Sequence, residues 1–289
     1  MSFGTVTDID GNKYQTVQIG SKTWMAENLK VIHYRNGDEI PTGYSDSDWA
    51  DLNSSQTGAY AIYDDNPSNA EIYGNLYNWY AVDDGRGICP EGWYLPSDDE
   101  YKLLEMYLGM SESDADSTYW RGTDEGGKLK EEGLEHWNSP NTGATNESGF
   151  TALPGGSRSF NSGGYFNMAG GGYYWTSSGN FSNDAWYRLI SYNKSEIARL
   201  AISKRSGQSV RCVSYESETG TILVPQEFLT IQEAVDAATD GDTILVSAGT
   251  YYEQIEIKGY PDGENQRNIV IIGEDRETTI IDGGNYYPS

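Results

Sequence analysis

Near "SYESETGT", Ser214 to Thr221, the spacing of apolar residues changes, and one repeating plan cannot serve both sides of it. Before that point, short β-branched runs, two helical stretches and long glycine- and aromatic-rich segments alternate irregularly. Beyond it, runs rich in Ile and Val return at a fixed interval. "TILVS" from Thr243 recurs in type as "NIVII" from Asn268, and "QIEIKG" from Gln254 as "TIIDGG" from Thr279, both 25 residues on. Such a period with short strands predicts a parallel β-solenoid, each coil stacking on the last. Two domains are therefore expected, 1–217 and 218–289.

Ahead of the repeats stands "TIQEAVDAA", with Thr230 and Glu233 in capping-box spacing and Ile231, Ala234, Val235 and Ala238 on one face. A helix of this kind covers the open end of a first coil. About two coils precede Ser289 where stacked repeats generally need three or more, so the expected solenoid is truncated.

The first region opens with "TVTDIDGNKYQTVQIG", which reads as a hairpin turning at Asp10-Gly11. An EF-hand loop needs Gly at its sixth position and Glu at its twelfth; here Gly11 is fourth, so the turn is the better reading. Two helices are predicted, "SNAEIYGNLYNWYAV" from Ser68 and "PSDDEYKLLEMYLG" from Ser97, each with Glu three residues after a serine cap. Ile72, Leu76 and Trp79 form the apolar stripe of the first; Tyr101, Leu104 and Leu108 form that of the second. Later strands are "FTAL", "YYWTSS", "AWYRLISY" and "SVRCVSY". Both faces of "AWYRLISY" carry large groups, as on a strand covered from two sides.

Gly163 to Arg188, "GGYFNMAGGGYYWTSSGNFSNDAWYR", holds eight aromatic residues among Gly, Ser and Asn. Disordered glycine-rich tracts usually lack rings, because burying rings helps offset the entropy of ordering. Aromatics among small polar residues are also the composition of antibody paratopes. An ordered binding surface is expected, with Tyr165, Phe166, Tyr173, Tyr174, Trp175, Phe181, Asn183, Asp184 and Trp186 as ligand-contacting candidates. Trp175 and Trp186 are also readable as core residues.

Against 44 acidic residues stand 19 basic ones, a net charge of −25 that disfavours nucleic acid and anionic membrane as partners. No run reaches the eighteen or so apolar residues that span a bilayer, and "MSFGTVTD" carries no export signal. The Gly, Ser, Thr, Asn and Tyr richness and scarcity of Lys nevertheless fit a secreted or surface-attached bacterial protein. Cys89 and Cys212 cannot make a zinc site alone but suffice for one disulfide.

The blocks "GTVTDIDGNKYQTVQIGSKTWMAENLKV", "YGNLYNWYAV", "CPEGWYLPSDDEY", "WNSPNTGATNESGFTALPGG" and "SVRCV" resemble the Fibrobacter succinogenes major paralogous (FISUMP) domain, over roughly residues 4 to 215. "YLPSDDEY" and "VRCV" are also similar to the formylglycine-generating/sulfatase-modifying family. That likeness implies an α+β, C-type-lectin-like fold with an antiparallel core, two helices and long loops. On such a fold Gly163–Arg188 lies in and beside the ligand-binding loops. The last strand, with Cys212, comes near the middle of the domain, which implies a Cys89–Cys212 disulfide if the chain is exported; two reduced thiols are the alternative. "LTIQEAVDAATDGDTILVSAGTYYEQIEI" resembles the opening of pectin-lyase-like right-handed β-helices, many of which cleave polysaccharides while others bind or scaffold. Catalytic groups in those enzymes lie on later coils, so none carries over to this chain.

Formylglycine-generating enzymes use two closely spaced cysteines, whereas Cys89 and Cys212 are 123 residues apart. His33 and His136 neighbour no nucleophile motif, and both read as structural or surface groups. Acidic pairs for glycoside hydrolysis are too abundant to single one out. No catalytic residue is assigned, and a non-enzymatic role is expected. Calcium is the one cofactor with candidate ligands, Asn138, Asn141, Asn146 and Glu147 in "WNSPNTGATNES"; the competing reading has these side chains bonding loop backbone. Lectins of this fold hold calcium partly through a Trp-Asn-Asp triplet, and the similar place here, Ser182 to Trp186, departs from it. The expected function is a secreted or cell-surface binding module for polysaccharide. Protein-binding adhesion and service as the front end of a larger polysaccharide-cleaving β-helix enzyme are the alternatives.

Overall fold

The computed structural model describes residues 3–52, 55–214, 221–225, 228–239, 241–257, 269–275 and 277–283. Two compact units divide the chain, Met1–Tyr215 and Glu216–Ser289. The inferred boundary near residue 217 lies outside the described residues. The architecture is α+β, with many short strands and few helices, and no described helix is long and apolar enough to cross a membrane.

In the first unit, Phe3–Thr7 and Lys13–Ile19 form the antiparallel hairpin read from the sequence. Its acidic turn is closed from within. The Asp8 carboxylate accepts the N–H groups of Asp10 and Asn12 at 3.0 and 2.9 Å and the Tyr14 hydroxyl at 2.6 Å. Burial, reinforced by that carboxylate, holds the Tyr14 phenol far above its usual range. Lys22–Met25 adds a third strand, and Val213–Ser214 pairs with it through Val213 and Trp24. Trp93–Tyr94 closes the far edge. One five-stranded sheet thus joins the beginning of the unit to its end.

A second, antiparallel sheet runs in the order Gly171–Asn180, Asp184–Ser191, Ile197–Ser203, Tyr119–Arg121. Against it packs the helix Asp98–Tyr107. Ser97 accepts the Glu100 N–H while the Glu100 carboxylate accepts that of Ser97, the reciprocal cap that the spacing predicted, worth about 1 kcal/mol. Tyr101, Leu104 and Leu108 are buried, as expected of its stripe. The same face also carries Asp98 and Glu105, which meet arginines from the sheet. Arg188 Nη1 and Arg199 Nη2 each lie 2.6 Å from Asp98, and Arg188 Nε lies 2.6 Å from Glu105. Arg121 completes the network on Glu105. Arg188 and Glu105 are wholly buried. Charges taken out of water persist only when paired in this way.

The other predicted helix is broken in two. Pro67–Tyr73 is helical, capped by Asn66 rather than Ser68, and Leu76–Tyr77 is a strand. Asn78 caps a separate short helix, Trp79–Val82. Gly74 makes the break: at φ +72° it favours a residue without Cβ, and a Cβ there would lie 2.7 Å from the Leu29 carbonyl oxygen. Ile72 is consequently exposed instead of facing a core.

In the second unit, Thr221–Val224, Thr243–Val246 and Val270–Gly273 form a parallel ladder, and Gly249–Tyr251 pairs in parallel with Thr279–Ile281. The helix Ile231–Ala237 has the expected Thr230/Glu233 cap. Its Ile231, Ala234 and Val235 are buried with Val224, Ile244 and Val246. The constant period of 25 does not survive. Thr243 pairs with Thr221, 22 residues back, and with Val270, 27 residues on; Gly249 pairs with Thr279, 30 on. Asn268, the expected partner in type of Thr243, lies outside the described residues. Inward-facing side chains fix strand register, while the connecting loops absorb the difference in length.

Among the described residues Val270–Gly273 has a strand neighbour on one side only. Val270, Ile272, Ile280 and Ile281 are about half exposed. Residues 218–289 expressed alone are accordingly expected to aggregate, or to exchange their amides quickly. A cooperative thermal transition in the isolated, monomeric segment would contradict this.

Candidate binding surface

The tract Gly163–Arg188 is ordered along its whole length. Gly163 pins its start: at φ +72°, a Cβ would fall 1.8 Å from the Asp46 carbonyl oxygen. From there the chain passes through the short strand Tyr165–Phe166 into Gly171–Asn180, turns over three residues, and returns as Asp184–Ser191.

Three of the expected contact residues lie inside the protein. Tyr173, Tyr174 and Trp175 are buried, the last two completely. Trp175 donates its indole N–H to the Tyr77 carbonyl at 2.8 Å, and the Tyr174 hydroxyl donates to that of Leu153 at 3.0 Å. Burial pushes the Tyr174 phenol up to about 12. Tyr173 lies in the strand read from "YYWTSS", and that strand is bonded on both sides. Beyond its pairing with Asp184–Ser191, Trp175 N–H reaches the Ser209 carbonyl and Ser209 N–H that of Tyr173. With both edges taken and both faces covered, no ring face here is left for a ligand. Trp186 is half-buried, with the Arg199 guanidinium 4.0 Å from its ring centre.

The remaining candidates form two patches rather than one surface. At the start of the tract, Tyr165 is half-buried and Phe166 exposed. The Tyr165 hydroxyl donates to Asp65 at 2.8 Å, and its ring lies 5.2 Å from that of Tyr63. Burial and Asp65 together hold the Tyr165 phenol well above its usual range. Phe166 stands edge-on to Tyr173, centroids 5.8 Å apart. At the hairpin tip, Phe181 is 87% exposed and sits at φ +57°. Ser182 and Asn183 beside it are exposed, and Asp184 is half-buried. Phe181 lies eight residues beyond Tyr173, past a shift in strand register between Trp175 and Gly179, so the two patches sit toward opposite ends of the strand.

Sequence reading missed Tyr63 and Asp65. They come from "AIYDDNPSN", about a hundred residues upstream, and both Asp64 and Asp65 have φ +53°. Two acids followed by Asn-Pro mark a tight turn, but nothing local shows which ring it will meet.

Of the expected calcium ligands, Asn138 and Glu147 are exposed. Asn146 spends its side-chain oxygen on the Thr151 N–H at 2.9 Å and its Nδ2 on the Thr151 hydroxyl. Asn141 donates to the carbonyls of Glu131 and Gly133. His33 faces Asp10 at 2.5 Å, and His136 faces Glu131. Cys89 and Cys212 are joined in a disulfide, their Cα atoms 5.9 Å apart.

Residues 17–214, more than half of the chain, match the Fibrobacter succinogenes major domain. No curated protein and no solved structure matches the chain.

Proposed function

Because the chain belongs to the Fibrobacter succinogenes major domain family and displays exposed rings on an ordered frame, we propose that residues 1–217 are a non-catalytic, exported binding module for polysaccharide. The observation that carries this reading is Phe181. Exposing a phenyl ring to water is unfavourable, and holding a non-glycine residue at positive φ adds roughly 1–2 kcal/mol. The three-residue hairpin turn, held by Lys204 N–H on the Asn183 carbonyl at 2.9 Å, accounts for the backbone conformation but not for the exposed ring. An exposed ring among Ser182, Asn183 and Asn180 offers a sugar an apolar face to stack on and hydroxyl partners beside it. Tyr165 and Phe166, with Asp65, present the same combination at the other end of the strand. Two ring sites toward opposite ends of one strand suit an extended chain of sugars better than a single residue.

The antiparallel sheets, the helix Asp98–Tyr107 and the long intervening loops support a C-type-lectin-like fold for this unit. The parallel ladder and capping helix of the second unit support the opening of a right-handed β-helix, and with it the role of a front end to a larger polysaccharide-acting protein. The disulfide and the acidic composition support export to the cell surface or beyond. Adhesion to a surface protein is the second reading, favoured by the single protruding ring of Phe181, a common form of protein hot spot.

Retention of residues 1–217 on insoluble polysaccharides and glycan arrays tests the proposal. Phe181→Gly is expected to preserve stability or raise it, by up to about 1 kcal/mol, since the strained backbone is relieved. The same substitution, and Phe166→Ala, should weaken retention several-fold. Unchanged retention in both variants would remove the aromatic patches from the argument. Failure of the unmodified protein to bind any glycan, alongside capture by a surface protein, would favour the second reading.

A further inference from the structure

The loop from Glu131 to Asn141 gathers an imidazole and two carboxylates without a basic side chain among them. His136 Nδ1 lies 2.9 and 3.0 Å from the two oxygens of Glu131. A carboxylate oxygen of Glu135 falls within 4.8 Å of the same group of atoms. Lys130, although next to Glu131 in the chain, is engaged elsewhere: its ammonium donates to the carbonyls of Thr142, Ser191 and Lys194. Among the described residues no lysine or arginine forms a salt bridge with Glu131 or Glu135. Even a protonated imidazole therefore leaves one negative charge uncompensated.

A second observation comes from Asn141, which is 6% exposed. Its Nδ2 holds the backbone of the same loop through the carbonyls of Glu131 and Gly133, at 2.9 and 2.7 Å. Its Oδ1 is buried and has no hydrogen-bond partner. Such an acceptor is ordinarily satisfied by a donor such as water. The imidazole is also steadied from outside the loop, where the Tyr73 ring meets it edge-on, centroids 5.7 Å apart.

We propose that Glu131, Glu135 and His136 form a binding site for a divalent transition metal, with zinc as its probe. One imidazole and two carboxylates are a donor set that zinc accepts at about 2.0–2.2 Å. A nitrogen ligand disfavours calcium and magnesium, which take oxygen. Glu135 is exposed and free to swing inward, and water completes the coordination. The metal would tie both ends of the 131–136 turn together and neutralise its charge. The site is independent of whatever the aromatic patches bind.

The full chain, stripped with a chelator, is to be titrated with zinc and in parallel with calcium by calorimetry near neutral pH. One zinc per chain and a rise in melting temperature on zinc addition are expected. His136→Ala and Glu131→Gln should each weaken zinc binding by about tenfold or more. Glu135→Gln alters only an exposed side chain, folds as the unmodified protein does, and should weaken zinc by a smaller factor. The proposal is overturned by any of three results: no stoichiometric heat up to roughly 100 μM zinc, calcium binding as tight as zinc, or unchanged zinc affinity in Glu135→Gln and His136→Ala. The first or third would leave a His136–Glu131 hydrogen bond only.

Discussion

Replacing Cys89 and Cys212 together by alanine is expected to lower the stability of the first unit by about 4–5 kcal/mol, the loop-closure value for a bridge of this span. The two residues are 123 apart in sequence. Freed of the bond, the unfolded chain regains the conformations that the cross-link denies it. The bridge also sits at a junction: Met25 N–H bonds the Cys212 carbonyl at 3.0 Å, and the next residue, Val213, pairs with both Trp24 and Tyr94. Urea unfolding of the double variant beside the parent protein measures the loss. Thiol titration of denatured protein from an oxidising compartment should find no free thiol. Two per chain, or an unchanged urea midpoint in the variant, would refute the expectation.

Arg188→Met is expected to cost about 3–5 kcal/mol, because it leaves Asp98 and Glu105 buried with too little positive charge. The size of the effect lies less in the bonds lost than in the carboxylates left behind. Adding Glu105→Gln to Arg188→Met should therefore recover part of the loss. Acid provides a second view of the network. Burial alone would raise the Asp98 carboxyl, but hydrogen bonds from Arg199 and the charge of Arg188 outweigh it and hold the group below its usual range. The folded protein then binds this proton less readily than the unfolded chain does. Its contribution is fully present above about pH 4, the unfolded carboxylate range, and is lost as pH falls through the lower folded value. An Arg188→Met protein that unfolds at the parent's urea midpoint would show the network to be energetically neutral.

Local chemistry was legible in the sequence wherever one side chain and its near neighbours decide the outcome. The Ser97/Glu100 and Thr230/Glu233 caps are of that kind, as is the turn around Asp10-Gly11. The helix from Ser68 was not, because Gly74 yields to the backbone of Leu29, more than forty residues earlier. The burial of Tyr173 to Trp175 depends on Ser209, a strand partner that no spacing within the aromatic tract reveals. For the same reason the candidate surface looked continuous in sequence and is two patches in space. Arg188 was visible only as a large residue on a strand covered from both sides; its carboxylate partners, Asp98 and Glu105, lie on a helix about 90 residues away.

The meeting of the first unit's two ends has a mechanical meaning. A pull applied between the N-terminal hairpin and Ser214 passes at Cys212 directly into Cys89, through a covalent bond. Residues 90–211 hang outside that line of tension, Phe166 and Phe181 among them. Such a pull need not pass along the backbone that bears the two rings.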